Sequence, residues 1–173
     1  DQTCELLDVA QAQELIAVGT SVAGGSGTQP KVDQAVLFLF DYAKEEKVWE
    51  GTLDRPISAF TALVTGPDGR LYCAIRGEGG AEIVVFDPES RAFTDHISPP
   101  EGGVVDNGLQ VGPDGLIYGV TPLCIFTLDA ASLATEVILT FPERLKGHAC
   151  SGPIINGELY YTSEHWLMAA KIL

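Results

Sequence analysis

The sequence predicts an all-β protein built from about four copies of one four-stranded antiparallel unit. The first observation is a repeated turn: residues 66–72 read GPDGRLY, and residues 112–118 read GPDGLIY, 46 positions later. A shorter copy, NGELY at residues 156–160, follows after another 42 positions. Between apolar, strand-prone stretches, Asp-Gly and Asn-Gly are strong hairpin signals, because both turn positions favour positive φ.

The second observation is a repeated aspartate. Asp41, Asp87 and Asp129 are spaced by 46 and 42 residues, and each ends an apolar stretch. Such an aspartate can hydrogen-bond its own backbone and begin a tight turn into a further strand. Each unit therefore contains four strands: A precedes the Asp-Gly turn, B follows it, C ends at the aspartate, and D comes next. The predicted D strands are Lys47–Leu53, Ala92–Ile97 and Thr135–Phe141.

Four antiparallel strands within roughly 40–45 residues are typical of a β-propeller blade. A stacked β-solenoid is the alternative, but its repeats are shorter and lack the four-strand meander. The sequence therefore predicts a single propeller domain over residues 1–173. Its approximate blades are 4–53, 58–97, 104–141 and 148–173.

The first and last units fit the repeat less regularly. In the first unit, strand A is predicted at Glu5–Val9 and strand B at Leu15–Thr20, with a turn at residues 11–13 that lacks the Asp-Gly signal. The last unit supplies strand C around Trp166–Ala170 and lacks its outer strand D. Because an uncovered edge strand favours pairing with another chain, we expect a partial ring or half-propeller. Its partner would be a second copy or a missing portion of the propeller.

The two repeated motifs resemble the blades of known propeller families. Gly-Pro-Asp-Gly-x-Leu/Ile-Tyr and Phe-Asp-Pro-x-Ser/Thr, the latter at residues 86–90, are similar to blades of the streptogramin-lyase, gluconolactonase-type and quinoprotein-like groups. The tryptophan docking motif of quinoprotein blades and the Trp-Asp dipeptide of the WD class are missing. The resemblance covers nearly the whole chain but implies only the fold, since propellers include lyases, hydrolases, oxidoreductases and scaffolds.

Composition narrows the classes of partner. The net charge of −14, from 24 acidic and 10 basic residues, disfavours nucleic-acid binding because it repels phosphate backbones. No apolar run approaches the roughly 20 residues of a membrane-spanning helix, so we expect a soluble protein. Four cysteines without a CxxC pair indicate free thiols, which weakly favours a reducing compartment such as the cytoplasm. Because the first residue is Asp1, a removed signal peptide and secretion stay open. The four cysteines are Cys4, Cys73, Cys124 and Cys150.

The repeat register predicts a cluster of polar residues at the mouth of the central channel, where D-to-A and B-to-C loops gather in propellers. Counting back from the Asp-Gly turns aligns Asp106 with His148, Phe60 and Cys4; one position further lie Asn107, Thr61, Ala149 and Glu5. Carboxylate, amide and imidazole groups suit a divalent cation such as calcium or magnesium, or a general base. The predicted metal ligands are Asp106, His148 and Glu5. Alternatively, Asp106 and Asn107 satisfy turn backbones and His148 is merely solvated.

A Gly/Ser-rich insertion at residues 21–35 is predicted to lie on the same face, and long loops on a rigid scaffold often carry recognition. We therefore expect a binding or interaction propeller that recognises a small molecule, glycan or protein through this face. The alternative is a metal-assisted lyase or hydrolase at the channel mouth, so enzymatic activity stays open. The third hypothesis is a propeller segment with a purely structural role. The predicted ligand-binding residues are Asp106, Asn107, His148, Arg76 and His165.

Overall fold

The computed structural model describes residues 8–12, 14–23 and 32–173, with the backbone alone for residues 8–10. In this part of the chain there are fifteen strands and no helix, and therefore no helix with the length and apolar character needed to cross a membrane. All strands pair antiparallel and in chain order within four separate sheets. Each sheet is a blade, and the fold is a partial β-propeller whose last blade has three strands, which confirms the predicted fold.

The strands follow the chain from blade 1 to blade 4. Blade 1 contains β1 (Asp8–Ala12), β2 (Leu15–Gly19), β3 (Leu37–Asp41) and β4 (Glu46–Gly51). Blade 2 contains β5 (Ile57–Thr65), β6 (Leu71–Gly77), β7 (Gly80–Asp87) and β8 (Ala92–Ile97). Blade 3 contains β9 (Leu109–Val111), β10 (Ile117–Val120), β11 (Cys124–Leu128) and β12 (Thr135–Thr140). Blade 4 contains β13 (Ser151–Ile155), β14 (Glu158–Ser163) and β15 (Trp166–Lys171).

The start of blade 1 differs from the prediction. Strand A was expected at Glu5–Val9, but β1 continues to Ala12, which lies opposite Leu15. Gln11 and Ala12, which were expected in the turn, instead extend the ladder with β2. The prediction misplaced the turn because residues 11–13 contain no glycine or Asp-Gly pair that would mark it in the sequence. Cys4 and Glu5 lie outside the described residues.

The predicted turns have two different geometries. Asn156 and Gly157 form a two-residue hairpin in which both φ angles are positive, as expected. In the Asp-Gly hairpins, five residues separate the paired strand ends, and of the Asp-Gly pair only the glycine, Gly69 or Gly115, has positive φ. There the Asp68 side chain accepts a hydrogen bond from the Arg70 N–H (3.1 Å), so the aspartate stabilises the loop through its carboxylate.

The C-to-D turns form as predicted. The carboxylate of Asp41, Asp87 or Asp129 accepts a hydrogen bond from the backbone N–H two residues later (2.9–3.0 Å). Hydrogen bonds within each turn favour the ionised carboxylate and lower the pKa of the aspartate. The largest cause is the Lys44 side chain at Asp41, the Ser90 hydroxyl at Asp87 and the Ala131 N–H at Asp129. The same device therefore ends strand C in three blades.

The core consists of three layers between neighbouring blades. Leu37 and Leu39 of blade 1 pack with Phe86 of blade 2, whose ring centroid lies 4.7 Å from that of Trp49. Tyr72 and Ile83 of blade 2 pack with Ile117 and Phe126 of blade 3, and Ile125 of blade 3 packs with Leu159 and Tyr161 of blade 4. Since successive strand residues face opposite sides, every inner sheet contributes to two layers.

The outward faces of blades 1 and 4 lack such a layer within the described residues. Leu37, Ile83 and Ile125 each lie four residues before the aspartate at the end of strand C, and Leu167 has the same position in β15, four residues before Lys171. The first three are 0% exposed, whereas Leu167 is 71% exposed. On the opposite face, Phe40 of blade 1 is partly exposed although its equivalents Phe86 and Leu128 are 0% exposed.

We expect Tyr72→Phe to lower the free energy of unfolding by about 1 kcal/mol, the usual contribution of one hydrogen bond. The Tyr72 hydroxyl lies 3.0 Å from Asp68 Oδ2 and 3.3 Å from the Ala130 carbonyl oxygen of the next blade. Chemical denaturation measures the change. Tyr42→Phe is the control, because the Tyr42 side chain is exposed and should change nothing. Equal stability of the two variants would contradict the inter-blade role.

Candidate functional site

A pocket of about 660 Å³, called the mouth pocket below, lies where the D-to-A connections meet the B-to-C turns. This volume is in the range of small-molecule sites. Its polar side chains come from three different blades or connections: Arg76, Asp106, Arg144 and His148. Its apolar wall is formed by Val104, Val105, Pro122 and Leu145.

Backbone hydrogen bonds fix the loops that carry these residues. The Val105 N–H donates to the Val120 carbonyl (2.9 Å), and the Leu145 N–H donates to the Pro122 carbonyl (2.7 Å). Gly103 has positive φ, and a Cβ there would lie 2.4 Å from the Ala81 Cβ, so only glycine lets this loop approach blade 2 so closely. The pocket wall is therefore held by the scaffold and is largely preformed.

Asp106 has the most buried of the four polar side chains that line the pocket. Its backbone carbonyl accepts a hydrogen bond from the Ser151 N–H (3.1 Å) and so links blades 3 and 4. Its side chain is only 16% exposed, and Oδ1 is buried with no hydrogen-bond partner. The nearest cationic atom is Arg76 Nη2, 3.7 Å away. The expectation that Asp106 satisfies a turn backbone is wrong, because the Gly108 N–H bonds to the Val105 carbonyl instead (3.0 Å).

The predicted alignment of Asp106 with Phe60 and His148 is also wrong. The Asn107 N–H donates to the Thr61 carbonyl, and the Ser151 N–H donates to the Asp106 carbonyl in the same way. Thr61, Asp106 and Cys150 therefore have equivalent positions in blades 2, 3 and 4. The register shifts because β5 and β13 contain bulges and because the hairpin of blade 4 is shorter. His148 nevertheless lines the same pocket as Asp106, from the connection preceding β13.

Of the predicted ligand-binding residues, Arg76, Asp106 and His148 line the pocket, whereas Asn107 and His165 do not. Asn107 is exposed and has φ of 54°, a conformation that asparagine tolerates, and its N–H donates to the Thr61 carbonyl (2.8 Å). His165 is exposed in the turn between β14 and β15. Glu5 lies outside the described residues.

Arg144 is a pocket residue that the sequence analysis did not identify. It is exposed, and within the described residues it makes no ion pair and no hydrogen bond. Its position in the D-to-A connection after blade 3 was the available signal, since these connections gather at the channel mouth. Repeat counting missed it because the connection has no counterpart in a repeated motif.

The insertion reaches the rim of the pocket at its first described end. Ala23 lines the pocket, and Ser21 pairs with Ala59 of β5. At the other end the Ala35 N–H donates to the Ile57 carbonyl (2.9 Å). Both ends of the insertion are thus attached to β5 of blade 2, while residues 24–31 lie outside the described residues.

The described residues do not supply a metal centre on their own: no three His, Cys, Asp or Glu side chains among them group closely enough to hold an ion. The guanidinium beside Asp106 also competes with a cation for that carboxylate. Burial and, after it, the Asp106 carboxylate raise the pKa of the Cys150 thiol, which makes a thiolate nucleophile unfavourable. Cys73 and Cys124 are buried, and Cys150 is partly buried.

No protein-family model and no curated protein matches this chain. Solved propellers do match it. The structure of U3-55K aligns at 10% identity with a TM-score of 0.62, covering 97% of this chain and 53% of that chain. The RRP9 WD40 repeats align at 10% identity and a TM-score of 0.63, covering 97% and 52%.

A gluconolactonase from Xanthomonas campestris, XC5397, aligns at 18% identity with a TM-score of 0.67, covering 94% of this chain and 55% of that chain. The chain thus spans about half the length of each of these structures. At these identities the similarity shows the fold alone, and it agrees with the partial ring seen here.

We expect Asp106→Ala to leave the free energy of unfolding unchanged or to raise it, because the substitution removes a buried oxygen without a hydrogen-bond partner. Asp114→Ala is the matched control. The Asp114 carboxylate accepts hydrogen bonds from the Leu116 N–H and the Tyr118 hydroxyl, so its loss should cost about 1–2 kcal/mol. Chemical denaturation compares the two. A destabilised Asp106→Ala variant would show that Asp106 is a structural residue.

Proposed function

We propose that this propeller is a binding module whose ligand occupies the mouth pocket. The observation that carries the proposal is that Asp106, which lines the pocket, has a buried Oδ1 with no hydrogen-bond donor among the described residues. Buried polar atoms in native proteins are nearly always hydrogen-bonded, and exceptions often have a functional reason. A bound molecule with an O–H or N–H group would satisfy this oxygen.

The shape and chemistry of the pocket support the same proposal. Apolar walls with a few convergent polar groups are typical of small-molecule sites. The similar structures include WD40 repeats and a gluconolactonase, so this architecture serves both interaction and hydrolysis. Binding is favoured because the described pocket residues include no paired nucleophile and base. A metal-assisted lyase or hydrolase requires Asp106 and His148, which do share the pocket, and at least one further ligand.

We expect a ligand screen by amide NMR to shift the resonances of Gly102, Gly103 and Ala149 in the pocket wall. Ala23→Trp places a large side chain at the rim and should reduce these shifts, because it fills the space that a ligand needs. Ala43→Trp, on the exposed turn of blade 1, is the control and should bind like the unsubstituted chain. Shifts that persist in Ala23→Trp would place the ligand elsewhere.

Calcium and magnesium belong in the same screen, because they separate binding from metal-assisted chemistry. We expect either cation to change the Tm of the unsubstituted chain and of Asp106→Ala equally, since Arg76 already neutralises Asp106. A metal-dependent stabilisation that Asp106→Ala abolishes would instead favour the lyase or hydrolase.

We also propose that the outward faces of blades 1 and 4 are contacted by further propeller blades, supplied by a second copy of this chain or by the remaining portion of a ring. The burial pattern favours this: Leu167 is exposed and Phe40 is partly exposed, whereas their equivalents in the inner blades are buried. Among the described strands, β15 also has no partner on its outer side in the sheet. Closing both faces would remove an unpaired edge and bury apolar surface.

Phe40→Glu tests the second copy. In analytical ultracentrifugation we expect the unsubstituted chain to sediment as a dimer at micromolar concentration and Phe40→Glu as a monomer, because the charge would be buried between blades. Tyr42→Glu adds the same charge on an exposed turn and should stay dimeric. Equal masses for the unsubstituted chain and Phe40→Glu would contradict self-association through this face.

A further inference from the structure

We propose that the ligand of the mouth pocket is an anion, a small molecule whose carboxylate or phosphate group is held by Arg76 and Arg144. The same molecule carries an O–H or N–H group that donates to Asp106. This inference rests on the proposed binding function and adds the chemical class of the ligand. It is carried by two arginine side chains that line one pocket and whose guanidinium groups make no hydrogen bond among the described residues.

Arg76 is directed at the pocket by its position near the end of β6. Its side chain is 58% exposed, and its closest partner oxygen, Asp106 Oδ1, lies 3.7 Å away. This distance is too long for a hydrogen bond, for which N–H···O separations are usually about 2.7–3.2 Å. The ion pair therefore orients the guanidinium but leaves its five N–H donors for a ligand.

Arg144 reaches the pocket from the connection between blades 3 and 4. The neighbouring Glu143 is paired with Lys146 (3.7 Å), so the acid nearest in sequence does not neutralise Arg144. The Leu145 N–H donates to the Pro122 carbonyl (2.7 Å), which fixes the backbone beside Arg144. One cation thus comes from blade 2 and the other from a different wall of the same pocket.

Two of the other three arginines are ion-paired, whereas Arg91, on an exposed turn away from the pocket, makes no ion pair among the described residues. Arg55 is ion-paired with Glu82, and Arg70 is ion-paired with Asp68 (2.7 Å) and Asp95 (3.1 Å). In a chain with 24 acidic and 10 basic residues, acidic partners are in excess. Two arginines without a hydrogen-bonded partner at one pocket therefore point to an external anion. Guanidinium groups suit this role because they bind carboxylate and phosphate bidentately.

Asp106 restricts which anions fit. Its carboxylate would repel a bare anion, but a donor group beside the anionic group would give Oδ1 the hydrogen bond that it lacks. The chain's net charge of −14 also opposes anions at long range. At about 0.1 M ionic strength the Debye length is about 10 Å, so this repulsion is largely screened while contacts in the pocket persist. Binding should therefore be measured at that ionic strength.

The experiment compares three probes by amide NMR titration at this ionic strength: glycerol 3-phosphate and glycerate, which combine an anion with hydroxyls, and glycerol, which is neutral. We expect the two anions, and not glycerol, to shift Gly102, Gly103 and Ala149. Arg76→Gln and Arg144→Gln should each raise the Kd about tenfold, the effect of losing a hydrogen bond to a charged group. Arg91→Gln, which removes the same charge from an exposed turn, should leave the Kd unchanged.

Arg144 is exposed, so Arg144→Gln should leave the Tm unchanged. A weaker affinity of this variant would therefore report lost binding and not unfolding. Anion shifts that Arg76→Gln and Arg144→Gln weaken and Arg91→Gln retains would support the anion site. Glycerol shifts without anion shifts, or anion shifts that persist when both arginines are replaced, would overturn the anionic ligand and leave the binding function in place. If no molecule in the broader screen shifts the pocket amides, the proposed function fails together with this inference.

Discussion

Each blade of this protein is an antiparallel meander of three or four strands with apolar side chains on both faces, so a blade is stable only when a neighbour covers each face. The register of strand C shows how regularly this is done: Leu37, Ile83 and Ile125 are all fully buried at one position. The rest of the structure depends on this face-to-face packing. It brings distant loops to one end, and it leaves Leu167 exposed on a face that no other described blade covers.

The mouth pocket is a consequence of the same stacking. Backbone hydrogen bonds link the inner sides of neighbouring blades, from Asn107, just before β9, to Thr61 in β5 and from Ser151 in β13 to Asp106. These bonds use main-chain groups only, which leaves the side chain of Asp106 available to the pocket. The loops on either side are fixed by further backbone bonds, so side chains contributed by different blades face one space although they are far apart in sequence.

Much of this fold could be predicted from the sequence because turns leave local signals. The aspartates that end strand C act within four residues, and Asp41 bonds its own turn as its position suggests. The alignment of the channel mouth could not be obtained by counting, because the bulges in β5 and β13 shift the register without a clear sequence signal. Asp106 and His148 were placed in one pocket for an incorrect reason, while Arg144, in a non-repeating connection, was missed.

The chain has a net charge of −14, whereas the charged side chains that line the mouth pocket are two arginines and one aspartate. This contrast bears on function more than the net charge alone. A surface with an excess of carboxylates normally neutralises its arginines, as Glu82 does for Arg55. Near the pocket, Arg76 is held at 3.7 Å from a carboxylate that has no hydrogen bond. Neither group has its best partner, so the folded chain gives up stability at the site where a ligand could restore it. This local conflict is the feature that scaffold packing does not explain and that ligand binding would resolve.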